Sequence, residues 1–173
     1  MKKTIYLSFL LLLLFSISTK GISQNKTNQD SLRISEINRT YWDEISRTVH
    51  SGDFKGYEAL CDKNAVLVVS IGKNKRSVPM TVALENWKQG FLDTKNGKTK
   101  DSVAFRFSQR IGSATTAHET GIFCYSSTNI ASQKTTKQYI HFEALLVKHD
   151  EKWQVVMEYQ KSLATAEEWE SLQ

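Results

Sequence analysis

The chain has 173 residues and a formal net charge of +5, which is enough length for one domain with a hydrophobic core. Without the three lysines of residues 1–23, 20 basic residues stand against 18 acidic ones, a net charge of +2 that gives no support for nucleic-acid binding. The two cysteines, Cys61 and Cys124, lack metal-finger spacing. Both occupy positions that suit small buried residues, which favours free thiols.

Residues 1–23 have the pattern of a signal peptide. Two lysines precede an apolar run from Ile5 to Ile17, which is shorter than the roughly 20 residues of a membrane span. Gly21 and Ser23 are small residues at the two positions that a signal peptidase inspects, so cleavage is predicted before Gln24. We expect a periplasmic or secreted protein without membrane attachment after cleavage; the alternative is an uncleaved anchor.

After a disordered linker over residues 24–30, residues 31–173 are predicted to form a single domain that begins with two helices. Asp30 or Ser31 is a suitable cap for the first helix. Its apolar stripe repeats at three- and four-residue spacing and consists of Ile34, Ile37, Tyr41, Trp42, Ile45 and Val49. Gly52 is expected in the left-handed conformation at the helix end, and Asp53 is expected to cap a short helix from Phe54 to Cys61.

The next predicted elements are a buried strand and a third helix. The strand extends from Asn64 to Ile71 and is rich in valine. The third helix follows Pro79, covers about Thr81 to Thr94, and carries Trp87 and Phe91 on its apolar face. Two short basic runs, Lys73 to Arg76 and Lys95 to Lys100, are interpreted as solvated loops.

Alternating strands complete the domain. They are predicted over Val103 to Ile111, Ala117 to Tyr125, Gln138 to Lys148 and Lys152 to Lys161. Thr165 and Glu168 have the spacing of a capping box, which predicts a short C-terminal helix. Helices followed by a curled antiparallel sheet indicate an α+β domain in which the helices cover one face of the sheet.

Several motifs in this order resemble the SnoaL-like group of the nuclear transport factor 2-like superfamily. They are Gly52-Asp53 between two helices, Tyr57 and Leu60 before Asn64 to Leu67, the Trp-bearing third helix, and the stretch from Lys148 to Val156. The resemblance implies a cone, in which a strongly curved antiparallel sheet wraps around a long N-terminal helix and a pocket opens between them. Members of this superfamily are often dimers, and they include isomerases, cyclases, hydrolases, dehydratases and many non-catalytic binding or association domains.

The ketosteroid isomerases of this superfamily carry a carboxylate and a tyrosine that this chain does not match. The carboxylate position falls in Val68-Val69-Ser70, and the tyrosine position falls near Ile45. Enolisation requires a general base and an oxyanion donor, and these positions supply neither. Steroid isomerase chemistry is therefore not expected.

Four strand residues are candidates for acid–base chemistry: His141, Glu143, Glu119 and Glu158. His141 and Glu143 share one strand face, about 7 Å apart. The opposite face, with Phe142, Tyr159 and their neighbours, is more apolar, so we predict that it faces the helices. The His141, Glu143 and Glu158 face then points outward, to solvent or to a dimer partner. No metal site or cofactor is predicted.

Aromatic residues are candidates for a ligand pocket, although most are equally suited to an ordinary core. The predicted ligand-binding residues are Trp42, Tyr57, Trp87, Phe91, Phe105, Phe107, Phe142 and Tyr159. Because the resembling folds place the middle of the first and third helices at the pocket mouth, Trp42 and Trp87 are the strongest of these candidates.

Three functions follow from these observations. The first is an exported domain that binds a small apolar ligand without catalysis. The second is a SnoaL-like enzyme of the isomerase, cyclase or hydrolase type that uses the acid–base candidates. The third is a dimeric association module. The uncovered sheet face carries Tyr139, Leu145, Val147 and Val156, so we expect a homodimer through that face, with each His141 near Glu143 or a partner carboxylate.

Overall fold

The computed structural model describes residues 28–73 and 75–172, and the predicted signal peptide lies outside them. Helix α1 covers residues 28–51, with a π-helical turn at Asn38–Trp42 and a final α-helical part at Asp43–Ser51. Residues 28–30, which the sequence placed in a linker, are therefore already helical. No helix of the described residues is long and apolar enough to cross a membrane.

Two strands follow the second helix, and four consecutive strands separate the third helix from the last one. Helix α2 is Phe54–Ala59, α3 is Met80–Lys95 and α4 is Ala166–Ser171. The strands are β1 Cys61–Val69, β2 Arg76–Pro79, β3 Thr99–Gly112, β4 Thr116–Asn129, β5 Thr135–His149 and β6 Lys152–Ala164. The predicted α+β class and the curved, mostly antiparallel sheet are confirmed.

The strands form one six-stranded sheet in the order β2-β1-β6-β5-β4-β3, in which only β1 and β6 are parallel. Strand β2 was not predicted; it has four residues, and its first, Arg76, belongs to the basic run that was interpreted as a loop. Strand β1 begins at Cys61, so the short helix ends two residues earlier than predicted and the strand starts three residues earlier.

The predicted helix ends are present. Gly52 ends α1 with φ 67°, and a Cβ there would lie 2.5 Å from the Phe91 carbonyl oxygen of α3. Glycine is therefore required both by the left-handed conformation and by the close approach of α3. Asp53 caps α2 by accepting a hydrogen bond from the Gly56 amide at 2.9 Å, and Thr165 and Glu168 form the predicted capping box of α4.

The helices α1 to α3 pack on the inner face of the sheet, while α4 packs on the outer face. The inner core includes Ile37, Trp42, Leu67 and Trp153. A second, smaller cluster on the outer face is built by Ile122, Cys124 and Trp169. The prediction that the outer face of the last strands is uncovered is therefore wrong for the part beneath α4.

Two β-bulges change which residues of β6 face inward. Val155 pairs with Leu146 and Met157 pairs with Leu145, so Val156 is an extra residue that shifts the alternation by one. Lys161 is a second extra residue, between the Gln160–Phe142 and Ser162–His141 pairs. Between the bulges, the even-numbered residues of β6 face the helices.

Candidate functional site

A cavity of about 460 Å³ lies between the inner sheet face and helices α1 to α3. Its volume falls within the usual range for small-molecule sites. The apolar wall is formed by Tyr41, Trp42, Ile45, Val49, Tyr57, Leu67, Val69, Trp87, Phe91, Val103, Phe105, Phe123, Ile140, Phe142 and Ala144. The other lining residues are Arg76, Asn86, Gly90, Thr94, Asp101, Tyr125, Gln138, Glu158 and Gln160.

Six of the eight predicted ligand-binding residues line this cavity: Trp42, Tyr57, Trp87, Phe91, Phe105 and Phe142. Phe107 lies behind the wall, with its ring centroid 5.3 Å from that of Trp42. Tyr159 is on the outer face, where its hydroxyl lies 3.1 Å from the Ser70 hydroxyl. The assignment of Tyr159 to the pocket is therefore wrong, because the bulge at Val156 turns it outward.

The indole of Trp42 is held against the sheet by a buried ion pair. Its Nε1 donates to Glu119 Oε2 at 2.7 Å, and Arg110 Nη2 donates to the same oxygen at 2.8 Å. Arg110 also donates to Asn38 Oδ1 at 2.7 Å, and its guanidinium stacks on the Phe107 ring. Glu119 is fully buried and does not line the cavity, so it positions Trp42 and is not placed to act on a ligand.

Glu158 lies on the inner face and lines the cavity, contrary to the predicted outward position. It pairs with Ala144 on one side and with Leu67 on the other, and both of these are core residues. The prediction assumed an unbroken alternation from Trp153 to Tyr159, whereas the extra residue at Val156 exchanges the two faces.

Burial raises the pKa of the Glu158 carboxyl, and a hydrogen bond from Gln160 Nε2 to Glu158 Oε1 at 2.8 Å acts in the opposite direction. Burial also raises the pKa of the Tyr41 and Tyr57 hydroxyls well above the usual range, and the charge of Glu158 adds to both increases. The inner end of the cavity therefore combines a carboxyl that resists ionisation with two neutral phenols.

His141 and Glu143 lie outside the cavity and do not form the predicted pair with each other. The nearest carboxylate to His141 is Glu168 of α4, with Nε2 and Oε1 3.4 Å apart. Glu143 contacts Lys161 Nζ at 2.6 Å and His118 Nε2 at 3.3 Å. Of the four predicted acid–base candidates, only Glu158 reaches the cavity.

Asp101 is a cavity residue that the sequence analysis missed. It is buried, and its carboxylate accepts hydrogen bonds from Thr94 (2.9 Å), Tyr125 (2.8 Å) and Ser127 (2.7 Å). Burial and the contact with Asp101 raise the pKa of Tyr125 to about 12. Asp101 alternates in phase with Val103 and the inward phenylalanines of β3, and this phase was the available signal.

Neither cysteine is placed for chemistry in the cavity. Both thiols are free; Cys61 starts β1, and Cys124 belongs to the outer cluster beneath α4. Burial raises the pKa of Cys61 to about 12, so little of it is the reactive thiolate at neutral pH. Within residues 28–73 and 75–172, no group of three potential metal ligands is present.

Solved structures share this architecture at low sequence identity. An NTF-2-like protein from Shewanella oneidensis aligns over 74% of this chain and 98% of its own, with a TM-score of 0.54 and 15% identity. A ketosteroid isomerase-like protein from Erwinia carotovora aligns over 80% and 98%, with a TM-score of 0.51 and 16% identity. The beta subunit of benzoate 1,2-dioxygenase from Burkholderia mallei aligns over 74% and 88%, with a TM-score of 0.59 and 12% identity.

No protein-family model and no curated protein sequence matches the chain. The solved structures and the described geometry define an α+β fold in which a curved sheet and helices α1 to α3 enclose an internal cavity. The protein has the nuclear transport factor 2-like fold, as its sequence motifs predicted. Proteins with this fold differ in function, so the reaction or ligand has to be argued from the cavity.

Proposed function

We propose that this protein binds a small, largely apolar molecule in the cavity between the sheet and helices α1 to α3. The observation that carries the proposal is the lining, in which aromatic rings from three helices and three strands surround a few polar groups. Small-molecule sites have this composition, with apolar surface for affinity and few polar groups for orientation.

The aromatic rings of the apolar wall (the aromatic wall) pack against one another and are held in place by residues behind them, which supports a preformed site. The Trp42 ring packs 4.4 Å from Phe105 and 5.6 Å from Phe142, centroid to centroid, while Glu119 fixes its indole nitrogen. Tyr57 contacts the Phe91 ring at 5.1 Å and the Trp87 ring at 6.1 Å. A wall ordered before binding loses less conformational entropy when the ligand enters.

Gly90 offers a direct test of occupancy, because it lines the cavity and a Cβ there would meet no atom within 4 Å. Gly90→Trp should fill the space and abolish binding of 2-naphthylmethanol, a neutral aromatic probe, in calorimetric titration. Gly90→Ala is the matched control: it should keep the affinity and gain up to about 1 kcal/mol of helix stability. Unchanged probe affinity in a folded Gly90→Trp variant would contradict the proposal.

A second candidate is an enzyme that moves a proton, and the observation in its favour is Glu158 in the cavity with a raised pKa. General bases work best when their pKa lies near the operating pH. We test this with 2-tetralone in heavy water, following deuterium entry next to the carbonyl by NMR. Deuterium exchange that the wild type accelerates and Glu158→Gln does not supports the enzyme. An exchange rate equal to that in buffer contradicts the enzyme and leaves binding as the proposed function.

We also propose that the protein works outside the cytoplasm, on the strength of the signal-peptide pattern in residues 1–23. Intact-mass measurement of the protein isolated from its native host tests this location. A mature form that begins at Gln24 supports export. A form that still carries residues 1–23 contradicts cleavage.

A homodimer through the uncovered part of the outer sheet face is proposed as well. This outer patch consists of Val66, Val68, Leu145, Met157 and Tyr159. Leu145 is 37% exposed there, so Leu145→Lys should place a charge in the contact and produce monomers. Ile130→Lys, in the exposed turn after β4, is the control; a wild type that sediments as a monomer at micromolar concentration rejects the dimer.

A further inference from the structure

The cavity contains two carboxylates that have no cationic partner in the described part of the chain. Glu158 accepts one hydrogen bond, from Gln160, and forms no ion pair among residues 28–73 and 75–172. Among the described residues, Asp101 accepts from the hydroxyls of Thr94, Tyr125 and Ser127. Buried acids are usually paired or held neutral, so the charged form of an inward carboxyl without a cation would need a partner from outside the chain.

Other partly or fully buried carboxylates of this sheet do have cations. Glu119 is paired with Arg110 at 2.8 Å, and Glu143 is paired with Lys161 at 2.6 Å. Glu119 and Glu158 lie on one cross-strand row, separated by Ala144 on β5. Arg110 therefore neutralises the acid behind the wall, while Glu158 has no such partner among the described residues.

The surroundings of Glu158 are also suited to a positive charge. The rings of Tyr57, Trp87 and Phe91 form one side of the cavity, and the faces of aromatic rings attract cations. The one cationic side chain in the described lining, Arg76, lies on the exposed edge strand β2, where water screens its charge.

We propose that the ligand is an organic cation, an amine on an apolar body, whose ammonium group binds Glu158 while the aromatic wall holds the rest. This inference rests on the proposed binding function and specifies its ligand class. An ammonium ion would supply the missing partner of Glu158 and stabilise its charged form. Asp101, with three hydroxyl donors already in place, contributes negative potential and not a direct contact.

Three probes of the same size and different charge test this selectivity: 2-naphthylmethylamine, 2-naphthylmethanol and 2-naphthoate. At neutral pH we expect the amine to bind about tenfold more tightly than the alcohol, since its ammonium group adds charge attraction to a hydrogen bond that the alcohol can also donate. The carboxylate should bind most weakly. Glu158→Gln keeps the shape of the side chain but removes its charge. In this variant the affinities of the amine and the alcohol should differ by about twofold or less, because both probes then meet a neutral group.

Glu143→Gln is the matched control, because Glu143 lies on the adjacent strand but faces outward; it should leave the preference unchanged. Equal binding of amine and alcohol by the wild type overturns the cation inference and leaves the proposed function intact. Tightest binding of 2-naphthoate also overturns it and points to Arg76. If no probe binds, the proposed function and this inference both fail. A melting temperature measured for each variant confirms that it is folded.

Discussion

The inner and outer faces of strands β5 and β6 shift the pKa of a glutamate carboxyl in opposite directions. Glu143 faces outward, where Lys161 and then His118 lower its pKa by hydrogen bonding. Glu158 faces inward from the neighbouring strand, and burial raises its pKa. Glu143 contacts two basic side chains of the protein. Glu158 accepts a hydrogen bond from the Gln160 amide and otherwise faces the cavity. The contrast supports the proposal that the inner face binds the ligand.

Glu119 is the informative third case, because it is fully buried and also paired. We expect the largest effect in this set from Glu119→Gln, which leaves Arg110 buried without its counter-charge. Breaking such a pair costs about 3–5 kcal/mol of unfolding free energy. Denaturant unfolding measures the loss, and Glu143→Gln on the outer face provides the comparison. Equal losses in the two variants would remove the distinction between the faces.

Trp87 tests whether the inner face serves binding or only packing. It lines the cavity and is only partly buried, so Trp87→Ala should weaken binding of 2-naphthylmethanol about tenfold or less, by loss of ring contact. The stability loss should stay below the roughly 3–5 kcal/mol of a fully buried tryptophan. Thermal melts and titrations of the same variant separate the two effects. A large melting loss with unchanged affinity would place Trp87 in the core.

The fold was predictable because its signals are local and mutually consistent. Gly52 and Asp53 mark the junction of α1 and α2, Thr165 and Glu168 mark α4, and the apolar periods distinguish helices from strands. Each signal depends on chemistry within a few residues of its own position. Strand β2 was the exception, since its four residues have a partner in β1 but no alternation long enough to detect.

The site was less predictable because it depends on register. Most residues of the aromatic wall could be predicted. The alternation of side chains along a strand identified residues such as Phe105, and the apolar faces of the predicted helices identified the others. The position of Glu158 could not be predicted in this way, because the bulge at Val156 carries no glycine or proline and exchanges the two faces of β6 as far as the second bulge at Lys161. The cover that α4 forms over the outer face was also missed, since a contact between Trp169 and Arg106 joins residues 63 positions apart.

The pH dependence of stability gives a finer test of the inner carboxyl. Because the pKa of Glu158 is raised in the folded protein, the unfolded chain ionises first as pH rises, and wild-type stability falls until the folded pKa is passed. Glu158→Gln lacks this loss. Its melting temperature relative to wild type should therefore increase as pH rises above the ordinary glutamate pKa of about 4. A constant difference would mean that Glu158 is not buried as described.

The smallest effect is expected at the outer carboxyl, and its sign is opposite. The pKa of Glu143 is lowered in the folded protein, so its stabilising contribution is complete above the ordinary glutamate pKa and disappears as pH falls through the lowered value. Lys161 is 44% exposed, so solvent screens the pair and Glu143→Gln should cost about 1 kcal/mol or less at neutral pH.

That cost should disappear in acid, where the wild-type carboxyl is protonated as well. Thermal melts of wild type, Glu143→Gln and Glu158→Gln in one pH series allow the stability effects of the outer and inner carboxyls to be compared directly. Lys161→Met is the control for the outer pair, since it removes the first cause of the lowered pKa. If the Glu143→Gln difference grows as pH falls, or if both carboxyl variants shift in the same direction, the two faces do not differ in the way the hydrogen bonds of Glu143 and Glu158 indicate.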